Sequence, residues 1–547
     1  MKNYSRLPES GYHVRNFTSA TRMFSAFLRR LWEAVRTSPR LLRGVEITIV
    51  AIVVPLAVWQ LLIRMHYELQ GPFNADSPMY FAVGRGILNG LVPYKDLFET
   101  KPPGVFLLTA LSFKLFGTHF LGSLIEALSM PLYPIFLMWQ TWKMAKSRNL
   151  SQERSALYLL IAGLSGILLA LYTMYRAGEY QVESFGAFFS LLYLFVVANR
   201  QVISNARMLF ASLFLLLAIG MKEPFLFITA GTALILCADH PKKFVRIFLV
   251  PCLIALLSGG FLMILLGYAG PYLSIYLPEI FGKEVLGNGS LWSHMPAWVH
   301  LFNDLEDYAL GFGLLMSFAV VTLILRPFKR EHWFDASVRI LFIVMGLYLG
   351  TTAVAMKGDF FNHHFAFAVP LYTALILTLL ETLVDLRYAR KACKTFAVLS
   401  ATLIVVASVF QPHVRYDDAI WWIKNDERIA KDVAATIDRT LFTCEQKHYV
   451  FLATNGPMPY GFTKYSPFGP IFFQLDRFLE PSREHFRQTF RENLRQTQLI
   501  VRHGGEFNTM ADEVKAYVDA NFSTTPWPCA DFPHQKYPEY EFLYRKM

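Results

Sequence analysis

The sequence predicts an all-α polytopic membrane protein of about eleven spans with a small external α/β domain at its C-terminal end. Three observations carry that expectation. Of 547 residues, 54% are hydrophobic and 15% aromatic but only 17% charged, too little polar surface for a soluble globule of this length. Apolar runs long enough to cross a bilayer recur along the chain, separated by short basic clusters. After residue 410 the composition turns polar. The net charge of +11 does not signal nucleic acid, because the basic residues fall between apolar runs and not in one stripe, which is the positive-inside pattern of membrane proteins.

In chain order, residues 1–43 hold nine basic side chains against Glu9 and Glu33. They read as a cytoplasmic tail with an interfacial helix near 24–35 and no cleavable signal peptide. A transmembrane domain follows over 44–410, with spans at roughly 45–63, 119–141, 155–173, 184–199, 207–221, 224–238, 246–267, 309–325, 338–356, 364–380 and 395–410. With the tail inside, the clusters at Lys143–Arg154, Arg200/Arg207, Lys242–Arg246, Arg326–Arg339 and Arg387–Lys394 all fall inside too. The run 105–116 is apolar but short and interrupted by Lys114. Counting it as a span would put every later basic cluster outside, so it is expected as a helix lying in the interface, with Pro102 and Pro103 in its first turn. A second such helix is expected at 78–89, opened by Asp76 or Ser77 and closed by Gly90. In the external domain, 411–547, helices are expected near 417–440, 481–497 and 511–521 and strands near 449–453, 471–475 and 498–502.

Charge is expensive in such a chain and usually functional. It is densest in the first external loop, at Asn74-Ala75-Asp76-Ser77-Pro78-Met79-Tyr80 and at Asp96-Leu97-Phe98-Glu99-Thr100-Lys101-Pro102-Pro103-Gly104. An acid just after the first span, then acid-x-Lys-Pro-Pro-Gly, resembles the first external loop of the GT-C glycosyltransferases, membrane enzymes that move a sugar from a polyprenyl-phosphate donor. Protein O-mannosyltransferases and the aminoarabinose transferases of lipid A are the nearest in kind. The resemblance covers about 45–410 and is most specific over 74–104. It implies two interfacial helices in this loop, an inverting transfer to a glycan, lipid or protein acceptor at the outer face of the inner membrane, and no nucleic-acid partner.

The resemblance makes Asp76 the base that takes the acceptor's proton, where many relatives carry two adjacent acids and this chain has Ala75-Asp76. A helix N-cap is the plainer role for the same residue. Lys101 matches the Lys of Lys-Pro-Pro, and its charge at a helix start suits the donor phosphate; the alternative is a snorkelling lysine. Glu99 would orient Lys101 or touch the acceptor, and Arg85 is a second phosphate contact or a solvated surface charge. Arg176, Glu179 and Glu183 would share one face if their turn is helical, as pocket residues or as a structural ion pair. Lys222, between two spans, resembles a family lysine at the external end of that hairpin. Lys357, His363 and His364 are headgroup contacts. Adjacent histidines point about 100° apart on a helix and chelate poorly, so no cofactor is expected, and the lone Asp76 disfavours a divalent ion. Cys444 and Cys529 are the two thiols of the external domain and a natural disulfide. The rival function is a transporter or flippase of a lipid-linked glycan, and a third is an envelope scaffold. The charges gather on one face and not mid-span in broken helices, which favours the enzyme.

Overall fold

The computed structural model describes residues 49–71, 73, 76–173, 179–198, 204–285, 333–355, 362–385, 416–452, 458–469, 472, 483–503, 512–530 and 537–546. They belong to two compact units, Met1–Trp59 and Gln60–Met547, and the site described below lies wholly in the second. The basic tail and the expected spans at 309–325 and 395–410 lie outside the described residues.

Among the described residues, five helical stretches are long and apolar enough to cross a membrane: Ala51–Leu69, Phe120–Ser147, Gln152–Leu171, Val245–Leu265 and Ala366–Val384. Shorter apolar helices cover Val182–Val197, Asn205–Met221, Phe225–Leu236 and Ser337–Gly350, where four more spans were expected. In order, the main helices are α1 (Val54–Leu69), α2 (Ser77–Leu88), α3 (Pro103–Phe116), α4 (Phe120–Ser147), α5 (Gln152–Thr173), α6 (Val182–Val197), α7 (Asn205–Met221), α8 (Phe225–Leu236), α9 (Val250–Leu265), α10 (Trp333–Ala355) and α11 (Val369–Asp385). Small residues set how close they come. A Cβ on Gly231 of α8 would meet the Gly346 carbonyl of α10 at 2.3 Å, so the two backbones touch where no side chain fits.

The helices α2 and α3 are the pair expected in the first loop, and their ends have local causes. Asp76 holds the N-cap position of α2 but its side chain makes no capping hydrogen bond, and Pro78 sits in the first turn, where its missing N–H costs nothing. Gly90, at φ +83°, lets the chain leave α2 in the left-handed region that favours glycine. Pro102 and Pro103 open α3, and Gly117 at φ +69° closes it with its N–H on the Phe113 carbonyl.

The C-terminal region contains α12 (Tyr416–Thr443), β1 (Tyr449–Leu452), α13 (Glu484–Gln496), β2 (Leu499–His503), α14 (Asp512–Asn521), β3 (Phe522–Ser523) and β4 (Tyr540–Arg545). The sheet order is β1-β2-β4-β3, with β1 parallel to β2 and β4 antiparallel to both β2 and β3. The three expected helices are present, as are the strands near 449–453 and 498–502; of 471–475 only Phe472 is described. The strands β3 and β4 were not anticipated. Cys444, after α12, is bonded to Cys529, with their Cα atoms 5.4 Å apart and a separation of 85 in sequence. In the chain-entropy account a loop of that length is worth roughly 4–5 kcal/mol. The turn Pro459–Gly461 packs against α2, where a Cβ on Gly461 would come within 2.8 Å of the Pro78 Cα.

Candidate functional site

The segment before α3 folds its charges back on itself. Glu99, 1% exposed, accepts the Lys101 backbone N–H at 2.7 Å on one oxygen, and its other oxygen lies 3.5 Å from Lys101 Nζ. The Tyr94 hydroxyl donates to the Lys101 carbonyl at 2.9 Å, and the Tyr94 ring packs at 4.7 Å on Tyr276, so the lysine's backbone is pinned on both sides. Burial opposes the Lys101 charge, but the carboxylates of Glu99, Asp76 and Glu183 outweigh it and hold the ammonium above its ordinary value. Only Glu99 is in contact with the lysine; the charges of Asp76, at the start of α2, and of Glu183, on α6, reach it from a distance.

Tyr80 joins them and was missed by the sequence. It is fully buried, Lys101 Nζ sits 5.6 Å from its ring centroid, and its hydroxyl has no hydrogen-bond partner. Burial, then Asp76, Glu99 and Glu183, push the phenol well above its usual range, so it stays a protonated donor. A signal was available: Tyr80 follows Asp76 by four residues, one turn along the same face of α2.

The second half of the site comes from deeper helices. Glu183, in the first turn of α6, forms a buried ion pair with Lys222 at the end of α7, and His364 Nε2 stands 3.8 Å from the same carboxylate. Lys222 also lies 4.8 Å from the Phe367 ring centroid. What brings Lys222 toward Lys101 is the contact of two glycines. A Cβ on Gly104 would fall 2.3 Å from the Gly220 carbonyl, so α3 and α7 touch backbone to backbone, three residues from one lysine and two from the other. A further buried acid, Glu126 of α4, accepts the Tyr180 and Gln181 N–H groups at 2.9 and 3.0 Å and the Ser184 hydroxyl at 2.5 Å. It ties down the two residues that lead into α6 and the hydroxyl of Ser184 in its first turn.

The remaining expected residues are placed differently. Arg85 lies roughly 140° around α2 from Tyr80, and its guanidinium donates to the Phe462 and Thr463 carbonyls at 3.2 and 3.3 Å. Glu179 does not share a helical face with Glu183, because Glu179 and Tyr180 take φ +67° and +65° and α6 begins only at Val182. Its carboxylate accepts the Tyr67 hydroxyl at 2.7 Å and its N–H donates to Glu68 at 3.1 Å; burial raises its pKa. Its part is to hold the loop. Arg176, Lys357 and the His363 side chain lie outside the described residues. Among the described residues no three His, Cys, Asp or Glu side chains gather as a metal-binding set.

No protein family matches the sequence, and no curated protein matches it. Among solved structures the chain resembles ArnT from Cupriavidus metallidurans. With the form bound to undecaprenyl phosphate the TM-score is 0.52 at 12% identity, covering 91% of this chain and 98% of that one. With the apo form it is 0.53 at 12% identity, covering 90% and 97%. At this identity the likeness is one of fold, and that fold is the one the first-loop motif pointed to.

Proposed function

We propose that this chain is a GT-C glycosyltransferase that moves a sugar, with inversion, from a polyprenyl-phosphate donor to an acceptor at the external membrane face. The observation that carries the proposal is the buried Lys101 ammonium, 3.5 Å from Glu99 and within the field of Asp76 and Glu183, beside the hydroxyl of Tyr80, which has no partner among the described residues. It is supported by a fold shared with a protein solved bound to undecaprenyl phosphate.

Asp76, half-buried at the start of α2, takes the proton of the acceptor hydroxyl or amine as that atom bonds to the anomeric carbon. The bond from that carbon to the phosphate oxygen breaks, its electron pair stays with the lipid phosphate, and Lys101 meets the charge that builds there. Tyr80 is a neutral donor to the same phosphate or to the sugar. Glu99 orients Lys101, while Glu183, Lys222 and His364 shape the inner wall. No cofactor enters the scheme. The N-terminal tail is cytoplasmic and residues 411–547 are external, forming a domain that covers the loop.

The test is transfer of labelled sugar from a polyprenyl-phosphate donor in reconstituted membranes, with donor binding measured alongside. Asp76→Asn is expected to lose ~10²–10⁴-fold in turnover while still binding donor; full transfer by this variant removes Asp76 from the role of base. Movement of the lipid with no glycosylated product would make the chain a transporter. Reporter fusions after Asn89 and after Lys146 are expected to read external and cytoplasmic respectively, and a cytoplasmic reading at Asn89 puts the site on the wrong face.

A further inference from the structure

On the side of α2 turned to the C-terminal domain lies a cavity of about 230 Å³ whose walls include Arg85, His119, Ser123, Lys431, Phe113 and Phe462. Two of its wall residues carry a buried polar atom, Arg85 Nε and Ser123 Oγ, with no hydrogen-bond partner among the described residues, and Ser123 is only 1% exposed. A buried donor left unpaired is costly, and two such donors on wall residues of one cavity point to a group that accepts hydrogen bonds there. Arg85 is held in place without being neutralised. One of its terminal nitrogens donates to the Phe462 and Thr463 carbonyls and its plane covers the Phe113 ring at 4.4 Å, yet no carboxylate pairs with it among the described residues. Asp438, the carboxylate whose field reaches it, spends its oxygens on the Lys464 and Tyr465 N–H groups. Lys431 adds an ammonium that is 56% exposed and tied at 2.5 Å to Glu427, a carboxylate that also lines the cavity, so that the uncompensated charge on the wall is that of Arg85. His119 is turned to the Gly71 carbonyl at 3.0 Å.

An oxygen-rich anion is what such a set selects: a planar guanidinium, a hydroxyl and an ammonium around a pocket with aromatic walls. The level is set by Ser123, in the first turn of the spanning helix Phe120–Ser147, and by Leu69, the last residue of Ala51–Leu69, which also lines the cavity. It is the depth at which spans end and lipid headgroups begin. We propose that this cavity binds a phosphoryl group distinct from the one at Lys101, carried by a membrane lipid headgroup or by free phosphate.

The experiment uses the full chain in detergent with Lys101→Ala, so that the donor site does not contribute. One arm follows inorganic phosphate by broadening of its ³¹P resonance, and the other follows phosphatidylglycerol by native mass spectrometry. Binding is expected in at least one arm, and which arm shows it names the source. Arg85→Gln should weaken it ~10- to 100-fold and Ser123→Ala about 2- to 10-fold. The proposal fails if neither probe binds, or if binding is unchanged by Ser123→Ala. That second variant decides the matter alone should Arg85→Gln not fold, and neither result depends on whether sugar transfer occurs.

Discussion

Lys101 and Lys222 flank the Gly104–Gly220 contact, and both are buried, but they are held in different ways. Lys222 closes directly on Glu183, a partner 39 residues away on another helix. Lys101 has its carboxylate two residues away, 3.5 Å from its ammonium, with one oxygen of that carboxylate already taken by the lysine's own backbone N–H. A cation neutralised by a distant element ties the fold together. A cation whose partner is local and loosely set keeps directions open for an incoming anion. The difference separates two lysines whose local sequences gave no sign of how each is held.

The largest effect that could break this distinction is on stability. Removing one member of the Lys222–Glu183 pair, as Lys222→Ala or Glu183→Ala, is expected to cost ~3–5 kcal/mol because the other is left charged and buried, whereas Lys222→Met with Glu183→Gln should cost far less. Unfolding of the purified variants in detergent measures it; singles no worse than the double would mean that the pair is not structural. Next comes ligand affinity: Lys101→Ala should weaken donor binding ~10- to 100-fold, the loss of a charge-assisted contact, with a smaller change in stability than at Lys222. A Lys222 variant that remains folded and loses donor more severely than Lys101→Ala would exchange the two roles. The smallest effect concerns the glycines and is asymmetric. Gly104→Ala drives a methyl into the Gly220 carbonyl and should cost about 1–3 kcal/mol. At Gly220 the nearest atom to an added Cβ is the Gly104 Cα at 3.8 Å, so Gly220→Ala should be neutral, or stabilising by up to ~1 kcal/mol through helix propensity. Equal melting shifts for the two would deny the close contact.

The first loop was the legible part, and for a physical reason. In a chain built for lipid each charge must have a use, so Asp76, Glu99 and Lys101 stood out, and prolines and glycines marked the ends of α2 and α3 within a residue or two. Tyr80 did not stand out because Met79-Tyr80-Phe81 reads as ordinary apolar surface, and a lone hydroxyl among rings carries no charge to betray it. Glu126 gave no signal because it sits inside a spanning helix and its N–H partners, Tyr180 and Gln181, lie on a distant turn just before α6. Helical spacing misplaced Glu179 since nothing in Arg176-Ala177-Gly178-Glu179-Tyr180 announces left-handed backbone at two non-glycine residues. The strand β4 was readable in the alternation Tyr540, Phe542, Tyr544, all buried, but it pairs with β2 some forty residues earlier, and such partners are not written locally.

The fastening of α2 to the segment 462–466 bears on how this protein can change over generations. Arg85 and Asn89 rest on backbone carbonyls of Phe462, Thr463 and Lys464, and Asn89 reaches the Ser466 hydroxyl at 3.2 Å. A helix that begins beside Asp76 thus takes its bearings from a region nearly four hundred residues downstream. The carbonyls of 462–464 fix the length of that turn, and the Phe462 ring, 5.5 Å from Phe73 and 5.9 Å from Phe81, and the buried, hydrogen-bonded Thr463 constrain its side chains as well. Exchange of C-terminal regions between distant relatives should therefore be rare, and the two ends of the chain should be inherited as one.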